Sequence, residues 1–126
     1  MFYDFNQNNS GGYFDVDDKL CHRIFVEADS EEEAVRKAEE LGCYWNGVEN
    51  GIDCPCCGDR WDKDWIDAVP LEKYRTEGYK TYRGTFHFNN IEEYAQYLAN
   101  DFGWTTPDVR IFYKDGTVKE IFSNRR

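Results

Sequence analysis

The sequence predicts an α+β fold: a mainly antiparallel sheet of about five strands, two helices packed on one face, and a cysteine-rich metal-binding loop. Three observations lead there. Strand-like segments recur at 2–7, 20–28, 79–88, 108–113 and 117–122. Two helical segments each open on a capping box and close on glycine, Ser30 to Gly42 and Asn90 to Gly103. Three of the five cysteines fall between Cys54 and Cys57. A chain of 126 residues is enough for one domain, 1–126, with the loop 43–66 inserted between two strand-helix units.

Phe2 to Gln7 reads as the first strand. Asn8-Asn9-Ser10-Gly11-Gly12 is a turn cluster, and Tyr13 to Val16 a short return strand. Asp15, Asp17 and Asp18 crowd beside it. They lack the glycine and distal glutamate of an EF-hand loop, so they read as a solvated acidic turn. Leu20 to Ala28 is the clearest early strand. Under period two, Leu20, His22, Ile24, Val26 and Ala28 share one face, and Cys21, Arg23, Phe25 and Glu27 the other.

Ser30 with Glu33 then starts a helix whose buried stripe is Ala34, Val35, Ala38 and Leu41. After the loop, Leu71–Tyr74 suggests a short strand and Tyr79 to Phe88 a strong one. Asn90 with Glu93 opens the second helix, with Ile91, Tyr94, Ala95, Leu98 and Phe102 at helical spacing. Asp108 to Tyr113, the Lys114-Asp115-Gly116 turn and Thr117 to Phe122 form a closing hairpin, and Ser123 to Arg126 a tail.

Composition narrows the function classes. Aromatic residues make up 17% of the chain, too many for a disordered protein. No apolar run is long enough to span a membrane, and Met1-Phe2-Tyr3-Asp4 has neither the basic nor the apolar region of a signal peptide. The expected setting is cytoplasmic, where cysteines stay reduced. The formal charge of -10 is uneven: residues 1–59 hold 14 acidic and 4 basic side chains, residues 60–126 hold 11 of each. Such a surface repels phosphate backbones, so direct nucleic-acid binding is not expected. It serves solubility, or it docks on a basic protein.

The loop carries the chemistry. In Cys54-Pro55-Cys56-Cys57-Gly58 the first and last cysteines are spaced to share one ion. Proline restrains the chain after the first, and glycine accepts positive φ after the second. This spelling resembles the knuckle of zinc ribbons and rubredoxin-type sites, and implies structural zinc. Cys54 and Cys57 are the first pair of candidate ligands, and Cys21 and Cys43 the preferred second pair. His22 and Cys56 are alternates, and His87 is the remaining histidine. A zinc ribbon would supply a second C-x-x-C, which is missing here. A bound ion would also explain how so long a loop stays ordered. Trp45, Trp61 and Trp65 either cover the site or form a contact patch. Glu31, Glu32, Glu33, Trp61 and Trp65 are the partner-binding candidates.

Enzyme signatures are missing. There is no H-E-x-x-H, no zinc-deaminase pairing, no P-loop and no dinucleotide fingerprint. No catalytic residue is assigned, and a zinc enzyme ranks below a binding protein. Three stretches, Met1 to Gly12, Cys21-His22-Arg23 and Gly51 to Trp61, together resemble a family of small bacteriophage proteins with the Cys-Pro-Cys-Cys-Gly motif. The resemblance implies a context, not a mechanism: a small acidic protein made in a host cell, acting as an inhibitor or modulator of a host enzyme or defence system. The alternative is a nucleotide-like small-ligand binder that uses the backbone N–H groups of the Asn8–Gly12 turn.

Overall fold

The computed structural model describes residues 1–8, 11, 14, 16–99 and 107–123. Its centre is a five-stranded mixed sheet of strand order β3-β1-β2-β6-β7. The members are β1 (Phe2–Asn6), β2 (Arg23–Glu27), β3 (Asp67–Ala68), β6 (Val109–Phe112) and β7 (Val118–Ile121). A separate hairpin pairs β4 (Tyr79–Thr81) with β5 (Gly84–Phe86). Three helices, α1 (Glu31–Leu41), α2 (Leu71–Thr76) and α3 (Ile91–Leu98), complete the described α+β fold. All sheet pairings are antiparallel except β2 with β6, where Arg23 lies opposite Val109 and Val26 opposite Phe112.

Both longer helices start as their caps dictate. Ser30 Oγ accepts from the Glu33 N–H at 3.2 Å, and Asn90 Oδ1 from the Glu93 N–H at 2.9 Å. In each case the glutamate reaches back to the residue before the cap, Glu33 to Asp29 N and Glu93 to Asn89 N. Glutamate also suits the positive end of the helix. Gly42 ends α1 at φ 118, where an L side chain would be strained, and Cys43 N donates to Ala38 O.

The helices do not share a face, contrary to expectation. The central strand β2 is buried on both sides: Ile24, Phe25 and Val26 are each 0% exposed. Ile24 and Val26 pack with Tyr3, Phe5, Ala34 and Ala38 beneath α1. Phe25 packs with Val109, Ile111, Ile121, Ile91, Tyr94 and Ala95 beneath α3. A strand apolar at consecutive positions needs cover above and below, and one helix on each face supplies it.

Three further expectations are revised. Leu71–Thr76 is a helix rather than a strand, opened by Pro70 and braced by an Arg75–Glu72 ion pair on its exposed side. The 79–88 strand is broken into a hairpin, because Gly84 adopts φ 128. Cys21 packs with Leu20 and Ile24 rather than on the opposite face, because regular strand begins only at Arg23. The hairpin across Lys114–Gly116 forms as read, with Gly116 at φ 93. The expected turn at 8–12 and return strand at 13–16 lie largely outside the described residues, as do Phe102, Gly103 and the tail from 124.

Asp4 is a cost accepted by this packing. It lies opposite Phe25 in register, on the α3 side of the sheet, and its Oδ1 is buried with no hydrogen-bond partner. Burial raises its pKa to about 6, against the pull of Arg23, with Asp67 adding to the rise. A raised carboxyl pKa favours the folded state while the group is protonated. That contribution is present below the unfolded value of 3.8 and is lost as pH rises to about 6. Asp4→Asn is therefore expected to stabilise the fold at pH 7 by about 1–3 kcal/mol, a gain that shrinks toward pH 4. Urea unfolding of both proteins across this pH range measures it, and a pH-independent difference refutes it.

Candidate functional site

The loop 43–66 is organised from its inside by a buried ion pair. Asp53 is 7% and Arg60 2% exposed, and Arg60 Nε lies 3.8 Å from Asp53 Oδ1. The Arg60 backbone N–H donates to Asp53 Oδ2 at 2.8 Å, and the Tyr44 hydroxyl donates to Asp53 Oδ1 at 2.7 Å. Burial, together with that bond to a carboxylate, pushes the Tyr44 phenol up to about 12, so it remains a donor. Gly47 fits against the pair because it has no side chain; a Cβ there would fall 1.8 Å from Asp53 Oδ2.

The pair ties the loop to the sheet through Gln7. Arg60 Nη1 donates to Gln7 Oε1 at 2.9 Å, and Gln7 Nε2 donates to Cys21 O at 3.0 Å. Gln7 is buried because it continues the alternation of Tyr3 and Phe5. Asn8 completes the connection. Its N–H donates to Arg60 O, and its side-chain amide donates to Cys57 O at 2.7 Å and Asp59 O at 3.3 Å. Protein groups thus hold the loop to the sheet.

On this base stands the cysteine turn. Cys57 and Gly58 both donate their N–H to Cys54 O, at 3.2 and 3.0 Å, and Gly58 adopts φ 91, as the spelling predicted. Backbone hydrogen bonds from Cys56 and Cys57, with the neighbouring thiols, hold the Cys54 thiol below its ordinary pKa. Cys54 is half-buried, while Cys56 and Cys57 are exposed.

Cys21 and Cys43 sit elsewhere in the architecture, in the apolar cluster beneath α1. The Cys21 thiol donates to Arg23 O at 3.2 Å. Burial pushes Cys21 up to about 11 and Cys43 up to about 12, so both are protonated thiols in this environment. A tetrahedral zinc would draw all four candidate sulfurs to within about 4 Å of one another. The structure brings together Cys54, Cys56 and Cys57. Among the described residues, no group of three or more His, Cys, Asp or Glu side chains is arranged to hold a metal ion. Of the expected ligands, Cys54 and Cys57 stand on the turn and Cys21 and Cys43 belong to the core.

His22, an alternate ligand, has its ring 4.2 Å from that of Phe14, edge to face. Burial first, and Arg23 second, lower its pKa to about 4, leaving it neutral. His87 Nδ1 lies 3.2 Å from Arg75 O, at the far hairpin. Asp17 forms a local turn, accepting from the N–H groups of Lys19 and Leu20, while Arg110 binds its carbonyl.

The tryptophans divide. Trp61 is 2% exposed and belongs to the core cluster with Phe5, Cys21 and Cys43, which corrects its assignment as a partner contact. Trp45 flanks that cluster and donates its indole N–H to Glu39 at 2.8 Å. Trp65 is 51% exposed, and Ile52, also in the loop, 62%. Glu31 and Glu32 are exposed and Glu33 half-buried, at the start of α1.

A family model described as Domain of unknown function (DUF7296) matches residues 1–125. The chain belongs to this family. No curated protein and no solved structure matches it significantly. The family match thus spans the sheet, both helical faces and the cysteine turn together. Among the described residues, no helix is long and apolar enough to cross a membrane.

The Asp53–Arg60 pair was not singled out by sequence, although its members flank the cysteine motif. Removing one partner leaves a buried charge, so Asp53→Ala or Arg60→Ala is expected to cost about 3–5 kcal/mol. Arg60→Ala added to Asp53→Ala should cost less than the two single losses combined. Equilibrium unfolding of all four proteins tests this, and simple additivity would show that the pair does not act as a unit.

Proposed function

We propose that this chain is a protein-interaction module that acts by binding rather than by turnover. The supporting observation is a loop fixed from within by Asp53, Arg60 and Gln7 that still leaves Ile52 and Trp65 facing outward. A large apolar side chain held on a rigid frame loses little freedom on binding, and tryptophan is a frequent energetic centre of interfaces. The charge of -10, concentrated in residues 1–59, favours a partner with a basic surface and speeds the encounter. Glu31 and Glu32, exposed at the start of α1, are positioned to contribute.

The resemblance to small bacteriophage proteins supports a partner in a host cell, an enzyme or a component of a defence system. Inhibition or modulation of that partner is the expected outcome. Zinc is not required for the order of the loop in this reading, because the buried pair supplies it. The small-ligand alternative rests on the 8–12 turn, most of which is outside the described residues.

Gentle purification of the tagged protein from host cells, followed by native mass spectrometry, tests the reading. A stoichiometric complex with one host protein is expected. Trp65→Ala combined with Glu31→Lys, Glu32→Lys and Glu33→Lys should weaken binding tenfold or more, about 1.4 kcal/mol or above. An undiminished complex with this variant, or a bound small molecule and no protein, overturns the proposal.

A further inference from the structure

The cysteine turn is built for chemistry that partner binding does not use. We propose that Cys54 and Cys57 form a dithiol site that exchanges with low-molecular-weight disulfides and closes into an intramolecular disulfide. This inference stands independently of the protein partner.

Geometry carries it. The Cys57 N–H bonds to Cys54 O at 3.2 Å, which closes a four-residue turn. Such turns hold their end Cα atoms within about 7 Å, and disulfides bridge Cα atoms about 4.4–6.8 Å apart. Closure therefore needs little backbone movement. Cys57 is exposed, so its sulfur is open to solvent and to a mixed-disulfide adduct beside it. Asn8 grips the turn at Cys57 O and Asp59 O, and the Asp53–Arg60 contact closes its base. The remaining pair, Cys21 and Cys43, is shut in the core and takes no part.

The chemistry balances with a disulfide RS–SR as the oxidant. One thiol of the pair gives up its proton and attacks one sulfur, the S–S bond breaks, and RS⁻ leaves with the bonding electron pair. The other thiol then gives up its proton and attacks the sulfur of the mixed disulfide borne by the first cysteine, expelling the second RS⁻. The two thiolates take up two protons, so the dithiol is oxidised by two electrons and two RSH are formed.

Oxidised glutathione is the probe, with the reduced full-length chain, timed alkylation and peptide mass mapping. The expected product is a Cys54–Cys57 disulfide, with Cys21 and Cys43 still free thiols. Cys57→Ser should stop at a glutathione adduct and form no disulfide. The Cys54–Cys57 disulfide should close several-fold faster in the native protein than in denaturant, where the turn is lost. Near-UV circular dichroism verifies that the variant is folded. Three outcomes overturn the proposal: a Cys54–Cys56 or Cys56–Cys57 product, equal rates in native and denatured protein, or exchange that occurs only after a chelator strips bound metal from the turn.

Discussion

The Asp53–Arg60 contact is the constraint on which the rest of this structure depends. Two opposite charges are withdrawn from water inside a small domain, which is costly unless every lone pair and proton is met. Here Asp53 accepts a backbone N–H and a phenol hydroxyl, and Arg60 Nε lies 3.8 Å away as an ion-pair contact rather than a hydrogen bond. Arg60 in turn reaches Gln7, and Gln7 reaches the Cys21 carbonyl. One chain of contacts thus joins the loop, the first strand and the entry to the second. The cysteine turn stands on residues 53 and 60, and Trp61, the next residue, goes straight into the core. The loop is an inward-facing polar network with a thiol turn on its outer edge.

The sheet has the same two-sided logic. Its central strand presents apolar side chains to both faces, so the molecule is layered as helix, sheet and helix. The two covers differ in kind. Beneath α1 the packing relies on alanines, cysteines and Trp61. On the other side it relies on aromatic rings, with Tyr74, Tyr79, Phe88 and Tyr94 in mutual edge and tilted contacts. Such pairs favour one orientation over others, which helps a short helix and a small hairpin hold a defined place.

What the sequence disclosed follows a physical line. Features set by neighbours in the chain were legible: the capping boxes at Ser30 and Asn90, the positive φ of Gly42 and Gly116, the closing hairpin and the turn at Cys54. Features set by distant residues were not. Nothing near Cys21 shows that the strand starts two residues later and turns its side chain inward. Near Leu71 only Pro70 marks a short helix rather than a strand, and the contact of Tyr74 with Tyr94 holds that helix in place. The predicted ligand set joined Cys54 and Cys57 to Cys21 and Cys43 by residue type alone, and tertiary packing placed the two pairs in different surroundings. Gln7 was the one readable clue to the buried network, a polar residue continuing the alternation of Tyr3 and Phe5.

The parallel pairing of β2 with β6 has a kinetic meaning. Every other strand contact in the sheet can form between antiparallel neighbours, but β2 meets β6 only after the whole chain between Glu27 and Val109 has been made and placed. That interval contains α1, the cysteine loop, the aromatic hairpin and α3. During synthesis the β1–β2 pair emerges early with the β6 edge of β2 unpaired and its Phe25 face bare. Contacts of such long sequence separation slow folding. The β6–β7 hairpin, local and self-contained, follows these elements in the chain and covers the open edge of β2.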